Sequence, residues 1–243
     1  MSVSAQRAAA AYQVAAEDTA VRVEIAGAQA RLRASGALWL QDQRTLIVAD
    51  VHLEKGSAYA ARGQLLPPYD SRDALMRLGL EIEALDPRTV VLLGDALHDI
   101  EAESRLARED AAALHALARG RDFVWVVGNH DPEPPKHLPG ISLETLEVCG
   151  LQLRHEPTSG SAFGEAAGHL HPCARIKSGG RSVRRRCFAT DGERIVLPAF
   201  GAYAGGLNVR DAAFRDLFAR PPLIVALGPR RAHAVGWWSV GPD

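Results

Sequence analysis

Acidic and imidazole side chains recur in this chain just after apolar runs, in groupings with the chemistry to bind cations. Asp50-Val51-His52 follows TLIVA, Gly94-Asp95 with His98 and Asp99 close behind follows TVVLL, and Gly128-Asn129-His130-Asp131 follows FVWVV. His155 closes LQLRH, and Gly168-His169-Leu170-His171 comes after it. The donors are carboxylate and amide oxygens and imidazole nitrogens without cysteine, a set that suits manganese, iron or zinc in a working site better than a structural zinc cage. In Asp50/His52 and His169/His171, a spacing of two in an extended segment points both side chains the same way, so each pair is expected to approach one site. A single Asp or His after a strand is ordinarily a turn former or helix cap. Five such clusters in one chain, each at the end of a strand-like run or near one, argue for a built site.

The elements that position these residues follow from periodicity. VRVEIAG, ARLRA, ALWLQ and TLIVAD read as short strands, the last continuous and apolar as in a fully buried strand. From Ser71, Leu75, Leu78 and Ile82 recur at helical spacing, with Ser71 as the expected cap and Asp86-Pro87 as the stop. TVVLLGD and FVWVVGNHD read as two further buried strands, separated by one helix expected over Glu101 to Arg119. From Leu143 onward the segments are short and β-like, interrupted by one helical piece expected near Val209 to Ala219. The class is α/β: parallel buried strands, with the later β segments forming a second sheet packed on the first. In such folds ligands collect at the carboxyl ends of the strands, which is where the clusters fall.

Composition narrows the setting. A net charge of −1 excludes a protein that coats nucleic acid over its whole surface, and 47% hydrophobic against 23% charged residues excludes disordered and collagenous classes. No apolar window is long enough to span a bilayer, so no membrane association is expected. Residues 1–20 are Ala-rich but interrupted by Arg7, Tyr12, Glu17 and Asp18, and read as a helical or frayed leader before one domain over 21–243. Cys149, Cys173 and Cys187 are an odd, scattered set, which points to a reducing, cytoplasmic setting and makes Cys173 a buried bystander near His171.

The ordered motifs DxH, GDxx(D/H), GNH(D/E), H and GHxH resemble the calcineurin-like metallophosphoesterases, and VADVHLEKG with GDALHD is most similar to the bacterial ligase-associated DNA-damage-response group. The resemblance covers Asp50 to His171. It implies a metallophosphoesterase-type β-sandwich of two mixed sheets flanked by helices, and two divalent metal ions, manganese first, with iron and zinc as the other metals this donor set accepts. By motif, Asp50, His52 and His171 would hold one ion, Asn129, His155 and His169 the other, and Asp95 would bridge them. The bridge is chemically sensible, since two carboxylate oxygens can serve cations about 3.5–4 Å apart that activate water and neutralise phosphate charge. His130 would face the substrate as transition-state stabiliser or proton donor to the leaving oxygen. Relatives often orient this histidine with an Asp three residues after the GD aspartate. That position here is His98, so His98, Asp99 and Asp131 are the candidate orienting partners.

Arg175, Lys177, Arg181, Arg184, Arg185 and Arg186 crowd the stretch after GHLHP, and form either a contact surface for a phosphate backbone or a solvated hairpin edge. Arg184, Arg185 and Arg186 lack metal-donor chemistry and are expected to be independent of the metal site. Glu54 and Lys55 are expected to cap the helix that follows DxH, and 202–208 to form a turn beside the site. Together these features point to a cytoplasmic two-metal phosphodiesterase, and the resemblance implies DNA as substrate, an endonuclease role in DNA repair and ligase-associated repair proteins as partners. A phosphoesterase for small nucleotides shares every ligand. A silent protein-binding scaffold of the same fold is the rival from another class, but scaffolds tend to lose ligands and this chain keeps all of them.

Overall fold

The computed structural model describes residues 20–178 and 180–243, so the leader, except Ala20, lies outside the described residues. Two sheets pack face to face. The first runs in space as it runs in sequence: β1 (Val21–Ile25), β2 (Ala28–Leu32), β3 (Leu38–Leu40), β4 (Thr45–Ala49), β5 (Thr89–Leu93), β6 (Asp122–Val126) and β7 (Ile141–Leu143). Pairing is antiparallel from β1 to β4 and parallel from β4 to β7. The second sheet comprises β8 (Leu146–Val148), β9 (Leu151–Arg154), β10 (Glu165–Ala167), β11 (Cys173–Ser178), β12 (Arg181–Thr190), β13 (Arg194–Val196), β14 (Leu223–Leu227), β15 (Ala232–Val235) and β16 (Val240–Gly241). Its path is β15-β14-β12-β13-β10-β9-β8, with β11 and β16 added at β12, and it is also mixed because β10 runs parallel to β9 and β13.

The continuous apolar runs of β4, β5 and β6 have a direct cause: both faces are covered. Ile47, Ala49, Val91, Leu93, Val124 and Val126 point into the core between the sheets. Their sequence neighbours Leu46, Val48, Val90, Leu92, Phe123 and Trp125 pack under the helices, where they meet Leu75, Leu78, Ile82 and Leu114. The helices thus cover one outer face only. The outer face of the second sheet is covered by Val209, Phe214 and Leu217.

Local expectations needed correction in four places. The stretch 209–219 holds only a 3-10 turn, Ala212–Phe214, because Arg215 leaves with extended backbone and Asp216 turns left-handed at φ 67°. The helix expected over 101–119 is two, Ala102–Arg105 and Arg108–Ala118; Leu106 and Ala107 between them are extended, and Leu106 packs onto the core under the helices. Ser71 does not cap its own helix, which starts at Asp70 behind Tyr69. Its hydroxyl instead accepts from Glu54 N–H at 2.8 Å and donates to Glu54 Oε1 at 2.7 Å. Glu54 therefore does not cap the following Lys55–Ala61 helix; the Asp70 carboxylate does so in its place, accepting Gly56 N–H at 2.8 Å. Among the described residues no helix is long and apolar enough to cross a membrane.

Arg33, in the turn after β2, pairs with Glu81 on the Asp70–Leu85 helix, and both side chains are only 2% exposed. A buried charge stripped of its partner is expensive, whereas removing both partners is not. Arg33→Met or Glu81→Leu alone should therefore lower stability by about 3–5 kcal/mol in urea unfolding, and the double variant by clearly less than either. A double variant showing the summed loss would refute this account.

Candidate metal centre

The register of the parallel strands brings the clusters level. Ala49 pairs with Leu93 and Leu93 with Val126, so the chain leaves β4, β5 and β6 side by side, with Asp50, Gly94-Asp95 and Gly128-Asn129 in the loops immediately beyond. The second sheet supplies His155 just after β9 and His169 and His171 after β10. Extended backbone does not aim these residues, contrary to the expectation from the spacing of two. Asp50, His52, Asp95, His169 and His171 all lie in the left-handed region, at φ 52°, 48°, 45°, 67° and 47°. The loops curl at each of these positions, and His169 and His171 consequently reach two neighbouring groups instead of one. Non-glycine residues held there cost of order 1 kcal/mol or more each, a strain typical of working sites.

One group is Asp50, His52 and His171, a second is Asp95, His155 and His169, and His52 joins His98 and His130 in a third; donor atoms in each lie within 4.8 Å of one another. In the first, His171 Nε2 lies 3.3 Å from both Asp50 Oδ1 and His52 Nε2. In the second, His155 Nε2 lies 3.1 Å from His169 Nδ1, 3.4 Å from Asp95 Oδ1 and 2.8 Å from Asn129 Oδ1, which adds an amide oxygen. Asp95 stands between them: Oδ1 faces His155, and Oδ2 is 4.0 Å from His52 Nε2. Asp50 is wholly buried, and burial raises its pKa against the lowering effect of His171. Burial also pushes His52 down to about 2 and His155 to about 4, so both imidazoles stay neutral with a lone pair available. The buried Nδ1 atoms of His52 and His155 have no hydrogen-bond partner among the described residues. A buried carboxylate beside imidazole nitrogens packed 3.1–3.3 Å from it and from one another fits a cation. No described cysteine joins a cluster.

The glycines of GN and GH are required by close approach. A Cβ on Gly128 would stand 2.2 Å from Asp95 Oδ1, and one on Gly168 would stand 2.5 Å from Asp50 Oδ2.

His130 sits at the open side of the centre with its side chain 40% exposed and Nε2 3.9 Å from Asp95 Oδ2. Its Nδ1 lies 2.7 Å from the backbone carbonyl oxygen of His98. A carbonyl can only accept, so Nδ1 carries the proton and Nε2 is left facing the centre, toward Asp95. The His98 ring also stacks on His130, with centroids 5.1 Å apart at 24°, and meets His52 edge-on at 5.5 Å. Neither carboxylate proposed as orienting partner is spent on the ring. Asp99 pairs with Arg105 at 2.8 Å, and Asp131 accepts the N–H groups of Leu97 and Gly128, each at 3.0 Å. Burial pushes Asp131 up to about 6 and His98 down to about 4. Lys55 opens its helix half-buried; burial lowers its pKa while Asp70 and Asp95 pull it upward, which puts its ammonium in electrostatic reach of the centre.

The basic segment is the β11–β12 hairpin, which starts two residues after His171. Its arginines differ in what they do. One Arg186 nitrogen donates to the carbonyls of Ala199 at 2.7 Å and Gly201 at 3.1 Å, while Gly201 N–H donates to the Asp50 carbonyl at 3.1 Å. Arg186 therefore braces the loop behind Asp50, contrary to the expectation that the arginines are independent of the metal site. Lys177, Arg181 and Arg185 are exposed or nearly so and make no ion pair among the described residues. Two features carried no sequence signal: the Ala199–Gly201 brace and the His98 carbonyl, since a backbone atom's role leaves no mark on residue type.

A family model for the calcineurin-like phosphoesterases matches residues 43–195, and the chain belongs to that family. It is a metal-dependent phosphoesterase. Among solved structures it is similar to the Pseudomonas putida nuclease MPE, at 26% identity and a TM-score of 0.69 over 89% of this chain and 100% of that one. It also aligns with Yfce, a phosphoesterase from E. coli, at 16% identity and a TM-score of 0.37 over 79% of this chain and 98% of that one. No curated protein matches.

Gly168→Ala should drive a methyl against Asp50 and displace it. Metal content by elemental analysis should drop and hydrolysis of a nitrophenyl phosphodiester should fall by at least about tenfold, the scale seen when supports of metal ligands are lost. Full metal content with unaltered turnover would show that Asp50 tolerates the shift.

Proposed function

We propose that the protein is a cytoplasmic phosphodiesterase of the two-metal type, manganese-dependent, that cleaves DNA internally and serves DNA repair beside ligase-associated proteins. The observation that carries the reading is Asp95, which presents one oxygen to each of two donor groups. Asp50, His52 and His171 would hold one cation, Asn129, His155 and His169 the other, and Asp95 both. Bound there, divalent cations lower the pKa of water and offset charge on the phosphoryl oxygens.

The chain's own residues supply the rest. His130, pinned at Nδ1 by the His98 carbonyl, offers Nε2 at the mouth of the centre. Protonated there, it donates to a phosphoryl oxygen or hands its proton to the departing alkoxide. Lys177, Arg181 and Arg185 on the hairpin, with Arg175 and Arg184, would follow a charged backbone beyond the reacting phosphate. The similarity to a nuclease supports nucleic acid over a small phosphodiester, and the complete donor set weighs against a silent scaffold.

Manganese-dependent nicking of supercoiled plasmid, assayed beside a nitrophenyl diester and a phosphomonoester, tests the reading. Nicked circles and diester turnover well above monoester turnover are expected; a protein active on the monoester and inert on plasmid would overturn it.

His130→Ala should lower kcat by about 10²–10⁴-fold on plasmid while metal content holds. The loss should be smaller with the nitrophenyl ester, whose leaving group departs without a proton. Equal losses on both substrates would remove the proton-donor role.

A further inference from the structure

The hairpin contains a pairing that is unfavourable by itself. Arg175 and Arg184 are directly opposite in the antiparallel register of β11 and β12, so both guanidinium groups project from the same face. Like charges in that relation repel. The structure resolves the conflict with Asp243, whose Oδ1 lies 3.5 Å from Arg175 Nε and 3.2 Å from Arg184 Nε. Arg184 is also fixed by donating to the Gly206 carbonyl at 2.5 Å. Asp243 is brought there by two ties: β16 pairs with β11 at Arg175↔Gly241, and Asn208 Nδ2 donates to the Gly241 carbonyl at 3.1 Å.

This constellation stands at the rim of the metal centre. Gly206 packs so closely on the chain at His171 that a Cβ on it would lie 2.3 Å from the His171 carbonyl oxygen. Two guanidinium groups converging on one side-chain carboxylate have the geometry for a phosphate as well. All three side chains are about a third or more exposed, at 35%, 38% and 44%. Such ion pairs are weak, so an incoming phosphate can replace the carboxylate.

We propose that Arg175 and Arg184 form a binding site for a phosphate of the DNA strand flanking the scissile bond, and that Asp243 is its internal occupant, displaced when substrate binds. The inference rests on the nucleic-acid reading above. It makes Asp243 a built-in competitor that weakens binding of any anion too feeble to displace it.

The test is binding of a fluorescent single-stranded oligonucleotide, followed by anisotropy without added metal so that no cleavage occurs. Asp243→Asn, which keeps shape and removes charge, should tighten binding about two- to fivefold at low salt, the span of a weak exposed pair. Glu147→Gln makes the same change in net charge at β8, the far edge of the sheet, and should leave affinity at the parent value. In an Arg175→Ser/Arg184→Ser background, Asp243→Asn should bring no gain. The proposal fails if Asp243→Asn binds like the parent, if Glu147→Gln tightens binding as much, or if the gain persists without both arginines. Plasmid nicking by the parent is scored separately: a parent that nicks while parent and Asp243→Asn bind alike refutes only the clamp, and a parent that fails to nick refutes the nuclease reading.

Discussion

The two sheets are joined at the Asp50 carboxylate, and the rest of the centre is arranged around that joint. Both of its oxygens accept the His169 backbone N–H, at 3.1 and 3.0 Å, so a side chain at the end of the first sheet holds the loop that follows β10 in the second. The backbone of the same residue donates to Gly94 O at 3.2 Å and accepts from Gly201 N–H. Three loops therefore meet on one residue that is entirely out of water. A lone buried carboxylate is poorly tolerated, and partial neutralisation by hydrogen bonds does not remove the need for positive charge nearby. The same burial that raises the pKa of Asp50 lowers those of His52 and His155, so both imidazoles stay neutral and keep a lone pair.

That arrangement explains where the backbone is strained. Five donor residues sit at positive φ in loops that begin at the end of a strand or near it. A relaxed extended exit from β4 or β5 would send successive side chains to opposite faces and into the packed layers on either side. Left-handed turns at Asp50, His52 and Asp95 instead fold each loop back over the strand ends. The sandwich core, with Ile47, Val91 and Val124 on one face of the strands and Leu46, Val90 and Phe123 on the other, supplies the rigidity that holds these conformations.

The strand-end residues are legible in the sequence because each buried strand announces itself by an uninterrupted apolar run, and a polar residue just beyond such a run has few places to be. Leu75, Leu78 and Ile82 are legible for the related reason that helical periodicity marks a buried face. The separate grouping of His169 and His171 is not legible in their spacing, which sends both to one site; only the motif resemblance separates them, because the divergence depends on two backbone angles. Nor is the exchange in which Asp70 caps the helix after DxH while Ser71 latches Glu54, because both choices satisfy the same local capping rules. Arg184 and Asp243 are 59 positions apart, and only the register of β11 against β12 and β16 brings them together.

The His98 carbonyl bears on how His130 works. A carboxylate at Nδ1 would carry a full negative charge against the imidazolium; a carbonyl fixes the same tautomer with only a dipole. The compensating charge lies on the other side of the ring, where Asp95 Oδ2 is 3.9 Å from Nε2. Asp95 also stands between the two donor groups, with Oδ1 toward His155 and Oδ2 toward His52. The orientation of His130 therefore depends on one residue twice over, because the His98 carbonyl holds Nδ1 and the His98 ring stacks on the face of the imidazole, and together they leave Nε2 directed at Asp95.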